Sequence, residues 1–276
     1  AVNLVCIDGR PVYYQSWGSG EPVLLLHGFG GSSHTFQALA DQLGSQWRLI
    51  APDLMGFGYT ERSVDLTDYA PQAQIAMLTT FLDQMSLQKV RVVGHSYGGG
   101  LAMLLAQTDP ERVRSLALLA PIRRFGSPVH CLQHSAVRHL GYPLLVGALS
   151  SRSMVGIALR QAFLDDSLVT PERIENYRSR LLIEGLAHAF HGHFRINRLD
   201  DAHQLKPLQI GHPTLILWGE DDRVLPVDRD SGWLGDLPHH RSVILPGTGH
   251  MIAEESPDNA ARLLEAFWSG RTSLKG

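Results

Sequence analysis

Three groups of residues in this 276-residue chain have the types needed for nucleophilic catalysis. Ser96 lies in Gly94-His95-Ser96-Tyr97-Gly98, His250 ends Pro246-Gly247-Thr248-Gly249-His250, and Glu220-Asp221-Asp222 follow Trp218-Gly219. A serine hydroxyl is a weak nucleophile until a base takes its proton, and the base in turn needs a carboxylate to orient it. The chain holds 14 histidines, so position has to select among them. His250 follows the run Arg241 to Leu245, which reads as the last strand, and its glycines allow a loop that reaches over the end of a sheet. Spacing alone does not choose between the three carboxylates. The order serine, acid, histidine is the one expected when the serine sits in G-x-S-x-G.

That motif has the required context. Val90, Val92 and Val93 predict a short buried strand. Leu101, Leu104, Leu105 and Thr108 recur at helical spacing just beyond it. Only a sharp turn joins the two, and it would expose the Ser96 hydroxyl at a helix N-terminus, where negative charge is favoured. No Gly-Lys-Ser/Thr follows, which excludes a phosphate loop. A tetrahedral intermediate also needs backbone N–H donors. Tyr97 supplies one and Phe29, in Gly28-Phe29-Gly30, the second, with the His27 side chain supporting that loop. The loop is no dinucleotide fingerprint, because Ser33 stands at the third glycine position.

The elements that must position these groups alternate. Two strands around Asp8-Gly9 lead to Val23 to Leu26, which is apolar throughout and so buried on both faces. A helix Thr35 to Leu43, a strand Arg48 to Pro52, a helix from about Pro71, a strand Ser115 to Ala120, strands at 213–218 and 241–245, and a helix Pro257 to Trp268 complete the series. Such alternation predicts βαβ units and a doubly wound, mostly parallel α/β sheet. From about Ile122 to Leu205 no strand pattern occurs, and helical spacings (Val155, Leu159, Ala162, Phe163; Ile174, Tyr177, Leu181) take over. The predicted organisation is a core of residues 1–121 and 206–276 with a helical cap at 122–205.

With HGFGGS at 27–32, PDLMGFG at 52–58, GHSYGG at 94–99, PTLILWGEDDRVLP at 213–226 and GTGHMIAEESP at 247–257, the chain resembles the α/β-hydrolase superfamily from about Tyr14 to Trp268. The branch it resembles carries a helical cap after the sixth strand and a serine nucleophile. The resemblance implies that the acid is Asp222, four residues after Trp218. Lookalikes that hydrolyse epoxides or haloalkanes use an aspartate where this chain has Ser96. The expected activity is therefore hydrolysis of a small carboxylic ester, without a cofactor, by Ser96, His250 and Asp222 with Phe29 and Tyr97 as oxyanion donors. The alternatives are carbon–carbon hydrolysis of vinylogous diketones, a cofactor-free perhydrolase, and a small-molecule receptor that has kept the triad. The diketone-cleaving branch usually has proline in the oxyanion loop and tryptophan after the histidine, where this chain has Gly31 and Met251.

Composition sets further bounds. A net charge of −3 gives no overall fit to nucleic acid, and no apolar run approaches the ~18 residues of a membrane span. Cys6 and Cys131 lack metal-type spacing, which with the absence of a signal-peptide pattern leads us to expect a reducing, cytoplasmic setting. Between Pro121 and Leu164 there is no acid, while Arg123, Arg124, Arg138, Arg152 and Arg160 occur with His130, His134 and His139. That stretch is read either as a face attracting anionic substrates or as helix arginines pairing with later acids. His188, His191 and His193 form no convincing metal set, and serine chemistry needs none.

Overall fold

The computed structural model describes residues 3–125, 147–196 and 205–270. Eight strands form one sheet in the order β1-β2-β4-β3-β5-β6-β7-β8. β1 (Leu4–Ile7) and β2 (Arg10–Trp17) pair antiparallel, and β2 is antiparallel to β4 (Trp47–Pro52). β3 (Glu21–Leu26), β5 (Val90–His95), β6 (Val113–Leu119), β7 (Thr214–Gly219) and β8 (His240–Leu245) run parallel to their neighbours and to β4. Val23–Leu26 and all of β7 are buried, as a sheet covered on both faces demands. The covering helices are α1 (Gln37–Leu43), α2 (Pro71–Gln84), α3 (Tyr97–Thr108) and, at the end of the chain, Pro257–Trp268. α1 packs on that last helix and α2 on α3. The doubly wound, mostly parallel α/β fold is thus the observed one.

The helix expected at Thr35 to Leu43 divides. Ser33–Phe36 is a 3-10 turn and α1 begins at Gln37. The cause is local: Ser32 Oγ accepts from the His34 N–H at 3.3 Å and Asp53 Oδ1 accepts from the Ser33 N–H at 2.6 Å. With those donors satisfied from outside, nothing draws the first turn into the α ladder.

Between β6 and β7 the described residues hold helices α4 (Arg152–Ala162), α5 (Pro171–Leu181) and α6 (Leu186–Ile196). Ser151 and Thr170 cap α4 and α5 through their side chains, and Pro171 opens α5 where its missing N–H costs nothing. Val155, Leu159, Phe163 and Val169 form an apolar cluster apart from the main core, and Met251 of the His250 loop packs into it. A helical turn, Ile252–Glu255, follows that loop. From it the buried Glu254 accepts a hydrogen bond from the Tyr177 hydroxyl and lies 3.3 Å from Arg173 Nε, both on α5.

Burial pushes the Glu254 carboxyl up to about 7 from an ordinary 4.5. The folded protein then holds a proton there that the unfolded chain releases, so the contribution of this group to stability is fullest below about pH 4.5 and is lost as the pH rises through 7. The expected result is a fall in unfolding free energy between pH 5 and 7.5, at most about 1.4 kcal/mol per pH unit from this group. Denaturant midpoints measured across that range should show the fall in the wild type, and a flatter profile in Glu254→Gln.

Candidate active site

The carboxyl ends of β3, β5, β7 and β8 carry the segments that hold the candidate triad and oxyanion residues. At the end of β5 the chain turns directly into α3. Ser96 is the pivot, with φ 51° and ψ −113°, a conformation costing a non-glycine residue about 1–3 kcal/mol. The turn closes because a Cβ on Gly98 would stand 2.1 Å from the Leu26 carbonyl oxygen, and one on Gly94 would stand 2.4 Å from that of Gly98. The Ser96 N–H donates to the Leu119 carbonyl at 2.9 Å, and its carbonyl accepts from Gly99, Gly100 and Ile122. Backbone on every side thus fixes the strained residue while its side chain stays half-exposed.

Of the three carboxylates, burial and contact set Asp222 apart. Asp222 Oδ2 lies 2.7 Å from His250 Nδ1, with the Asp222 side chain wholly inaccessible. Asp222 Oδ1 accepts from the Val224 and Leu225 N–H groups, each at 2.8 Å. The buried Trp218 indole donates to the Leu225 carbonyl at 2.8 Å, folding the loop back over its strand. Glu220 and Asp221 face solvent.

His250 is held from three directions. Its N–H donates to the Ala162 carbonyl at 2.8 Å, at the end of α4. Its carbonyl accepts from His95 Nε2 at 3.0 Å. Glu255 clamps the residues on either side, accepting from Gly249 N–H at 3.2 Å and Met251 N–H at 3.1 Å, and it also accepts from Leu164 N–H at 2.7 Å. Burial and the neighbouring His250 push the His95 ring down to about 3, so it stays neutral beside the candidate base. Among the described residues the acid–histidine pair is formed, whereas no hydrogen bond joins the Ser96 hydroxyl to His250. Such bonds commonly tighten only once substrate is present.

The Tyr97 N–H, first in α3, makes no hydrogen bond, as a helix start leaves it. The Phe29 loop lies beside it because Leu26 pairs with Gly94 across β3 and β5. Gly28 keeps the approach close, since a Cβ there would sit 3.0 Å from His95 Nδ1 and 3.3 Å from the Ser96 Cβ, and Gly30 takes φ 73°. His27 is buried: its Nδ1 donates to the Gly28 carbonyl at 2.8 Å, and its Nε2 accepts from Leu54 N–H at 3.0 Å. It binds its loop to the one after β4 and faces no reactant.

Asp53, His95 and Glu255 support the site yet went unassigned in the sequence. Asp53 bridges the Ser33 and Tyr59 N–H groups, at 2.6 and 2.7 Å, tying the oxyanion loop to the PDLMGFG loop. Among the described residues the α6 histidines bind backbone carbonyls: His188 that of Val64 at 2.6 Å and His193 that of Met55 at 3.2 Å. Arg152 pairs with Glu175 at 2.9 Å, so a later acid answers it, while Arg123, Arg124 and Arg160 are exposed. Arg138, His130, His134, His139 and Cys131 lie outside the described residues. No helix among the described residues is long and apolar enough to cross a membrane.

Similarity to known proteins bears on the fold and the family. A 2-hydroxy-6-oxo-2,4-heptadienoate hydrolase of Pseudomonas putida is 31% identical over 273 residues, covering 96% of this chain and 95% of that one. A 2-hydroxymuconate semialdehyde hydrolase from the same species is 28% identical over 270 residues, 93% of this chain and 90% of the relative. The solved meta-cleavage product hydrolase of Pseudomonas fluorescens IP01 superposes with a TM-score of 0.82 at 24% identity, covering 97% of each chain, and so shares the fold. The α/β-hydrolase fold family model matches residues 21–257, and the chain belongs to that family.

Proposed function

We propose that this hydrolase cleaves small carboxylic esters through an acyl-enzyme on Ser96. The observation that carries the reading is the Asp222–His250 pair at 2.7 Å, on the same sheet edge as a serine in strained backbone geometry. Asp222 orients His250 with Nδ1–H toward the carboxylate, leaving Nε2 as the base for the Ser96 hydroxyl. Ser96 attacks the carbonyl carbon, and the Phe29 and Tyr97 N–H groups receive the oxyanion. His250 returns the proton to the leaving alcohol and then activates the water that releases the acid. The helices between β6 and β7 serve as the cap over this edge, with residues 122–205 as the cap and 1–121 with 206–276 as the core.

Carbon–carbon hydrolysis is the second reading, favoured by the names of the two Pseudomonas putida relatives. There the same serine would attack a ketone and a carbon would leave. Gly31 and Met251, in place of the proline and tryptophan usual in that branch, put the ester first. Short-chain nitrophenyl esters and a vinylogous diketone acid should be assayed side by side, with Ser96 labelled by a fluorophosphonate. Ester turnover that disappears on labelling supports the first reading; turnover of the diketone alone selects the second.

Glu255 acts here as a positioning residue, because its carboxylate joins the peptide groups flanking His250 to Leu164 beyond α4. Glu255→Ala should lower kcat by about 10- to 100-fold, the scale expected for a base displaced by about 1 Å. KM should change less. The rate of Ser96 labelling should drop in parallel with kcat, which a mere loss of stability would not cause in protein that remains folded.

A further inference from the structure

Among the described residues, two polar atoms beside the proposed oxyanion donors have no partner. The Tyr97 hydroxyl and His193 Nδ1 are buried, their residues 4% and 1% exposed, and neither forms a hydrogen bond. Their rings meet edge to face with centroids 5.7 Å apart. Both rings stand against Phe29, at 6.3 and 5.6 Å, and against Phe57, at 6.3 and 4.6 Å. Phe29 and Tyr97 are also the two residues whose N–H groups face the reacting carbonyl in the reading above, so this wall borders the substrate.

The hydrogen-bonding sense of each atom follows from its surroundings. His193 Nε2 lies 3.2 Å from the Met55 carbonyl and must donate to it, which leaves Nδ1 a bare acceptor. Burial pushes the ring down to about 3, so it remains neutral at working pH. Burial likewise pushes the Tyr97 phenol up, so its hydroxyl keeps its proton. Of the adjoining rings, Phe29, Phe57 and Phe125 have no polar group to offer, and the hydroxyl of Tyr69 beside His193 donates to the Ser63 carbonyl instead. Buried polar groups are ordinarily paired, and two orphans of complementary sense on adjoining rings call for an occupant. A hydroxyl can accept from Tyr97 and donate to His193 Nδ1 together. A carboxylate would meet the Nδ1 lone pair with no cation among these residues to offset it.

We propose that Tyr97 and His193 form a subsite for a neutral hydroxyl carried on an aromatic part of the substrate, next to the carbonyl that Ser96 attacks. The aromatic walls hold the ring and the two polar atoms select its substituent. A site built to bond a hydroxyl discriminates against the analogue lacking it, because its own groups are then left unpaired. The location of this subsite beside the reaction rests on the reading of Ser96 as nucleophile.

Isosteric ester pairs test it: meta- and para-hydroxyphenyl acetates against the corresponding methylphenyl acetates, and ring-hydroxylated against ring-methylated methyl phenylacetates for the acyl side. In the wild type at least one hydroxyl ester should exceed its methyl partner by about tenfold in kcat/KM. Tyr97→Phe should bring that ratio close to one, without lowering the melting temperature, since no hydrogen bond within the protein is lost. Ratios near one for every pair in the wild type, or a preference that survives Tyr97→Phe, would overturn the proposal. Equilibrium binding of the same pairs to Ser96→Ala separates the two questions. Turnover persisting in that variant would refute Ser96 as the nucleophile, whereas a hydroxyl preference in its binding, abolished when Tyr97→Phe is added, would still establish the subsite.

Discussion

Replacing Ser96 by alanine should reduce kcat by about 10⁴- to 10⁶-fold, with His250→Ala falling in the same range. The doubly substituted protein should be no slower than either single variant, because nucleophile and base act as one unit and are lost as one. What remains would come from the Phe29 and Tyr97 N–H groups and from binding alone. Stability offers an independent check. Alanine at φ 51° is as strained as serine, so Ser96→Ala should unfold at nearly the wild-type midpoint. Ser96→Gly should be equally inactive yet relieve about 1–3 kcal/mol of strain, against roughly 1 kcal/mol for glycine's greater freedom when unfolded. An inactive protein that is no less stable than the wild type marks a residue shaped for chemistry rather than for folding. Stopped-flow or steady-state ester assays and denaturant melts on the same preparations provide both readings.

Much of this site is local and therefore legible in the chain. The Gly94 and Gly98 spacing, the valine run before it and the leucine stripe after it all report on about 20 consecutive residues, and the structure places strand, pivot and helix there. His250 could be chosen among 14 histidines because glycines precede it and a strand precedes them. The three carboxylates were different. Glu220, Asp221 and Asp222 are chemically alike and adjacent, and only the fold of the loop, closed by the Trp218–Leu225 hydrogen bond, buries one and exposes two.

The supports were less legible because they join distant segments. Glu255 meets Leu164 across 91 positions and Tyr177 meets Glu254 across 77, and no periodicity encodes such pairs. The histidines of α6, whose spacing made no convincing metal set, show the converse case. Their close spacing invites a common ligand, yet His188 and His193 bind two separate carbonyls of the segment after β4, at Val64 and Met55. Arg152, read as part of an acid-free stretch, finds Glu175 on the neighbouring helix. Charge runs along a chain describe its faces poorly once helices fold against each other.

Asp222→Asn should reduce kcat by about 10⁴-fold near neutral pH while leaving the protein folded. The asparagine oxygen can keep the Val224 and Leu225 N–H bonds that now fall on Oδ1, so the loop closed by Trp218 should persist. The amide nitrogen then takes the place of Oδ2, 2.7 Å from His250 Nδ1. As a donor it requires Nδ1 to accept, which moves the ring proton to Nε2 and removes the lone pair that Ser96 needs. Activity thus falls through the wrong tautomer, with no atom displaced. Glu220→Gln and Asp221→Asn alter exposed side chains of the same run and should stay within about threefold of wild type. Equal losses in all three variants would mean that the loop's net charge matters, rather than one carboxylate. A loss confined to Asp222→Asn, with the melting temperature held, would assign the orienting role to that oxygen.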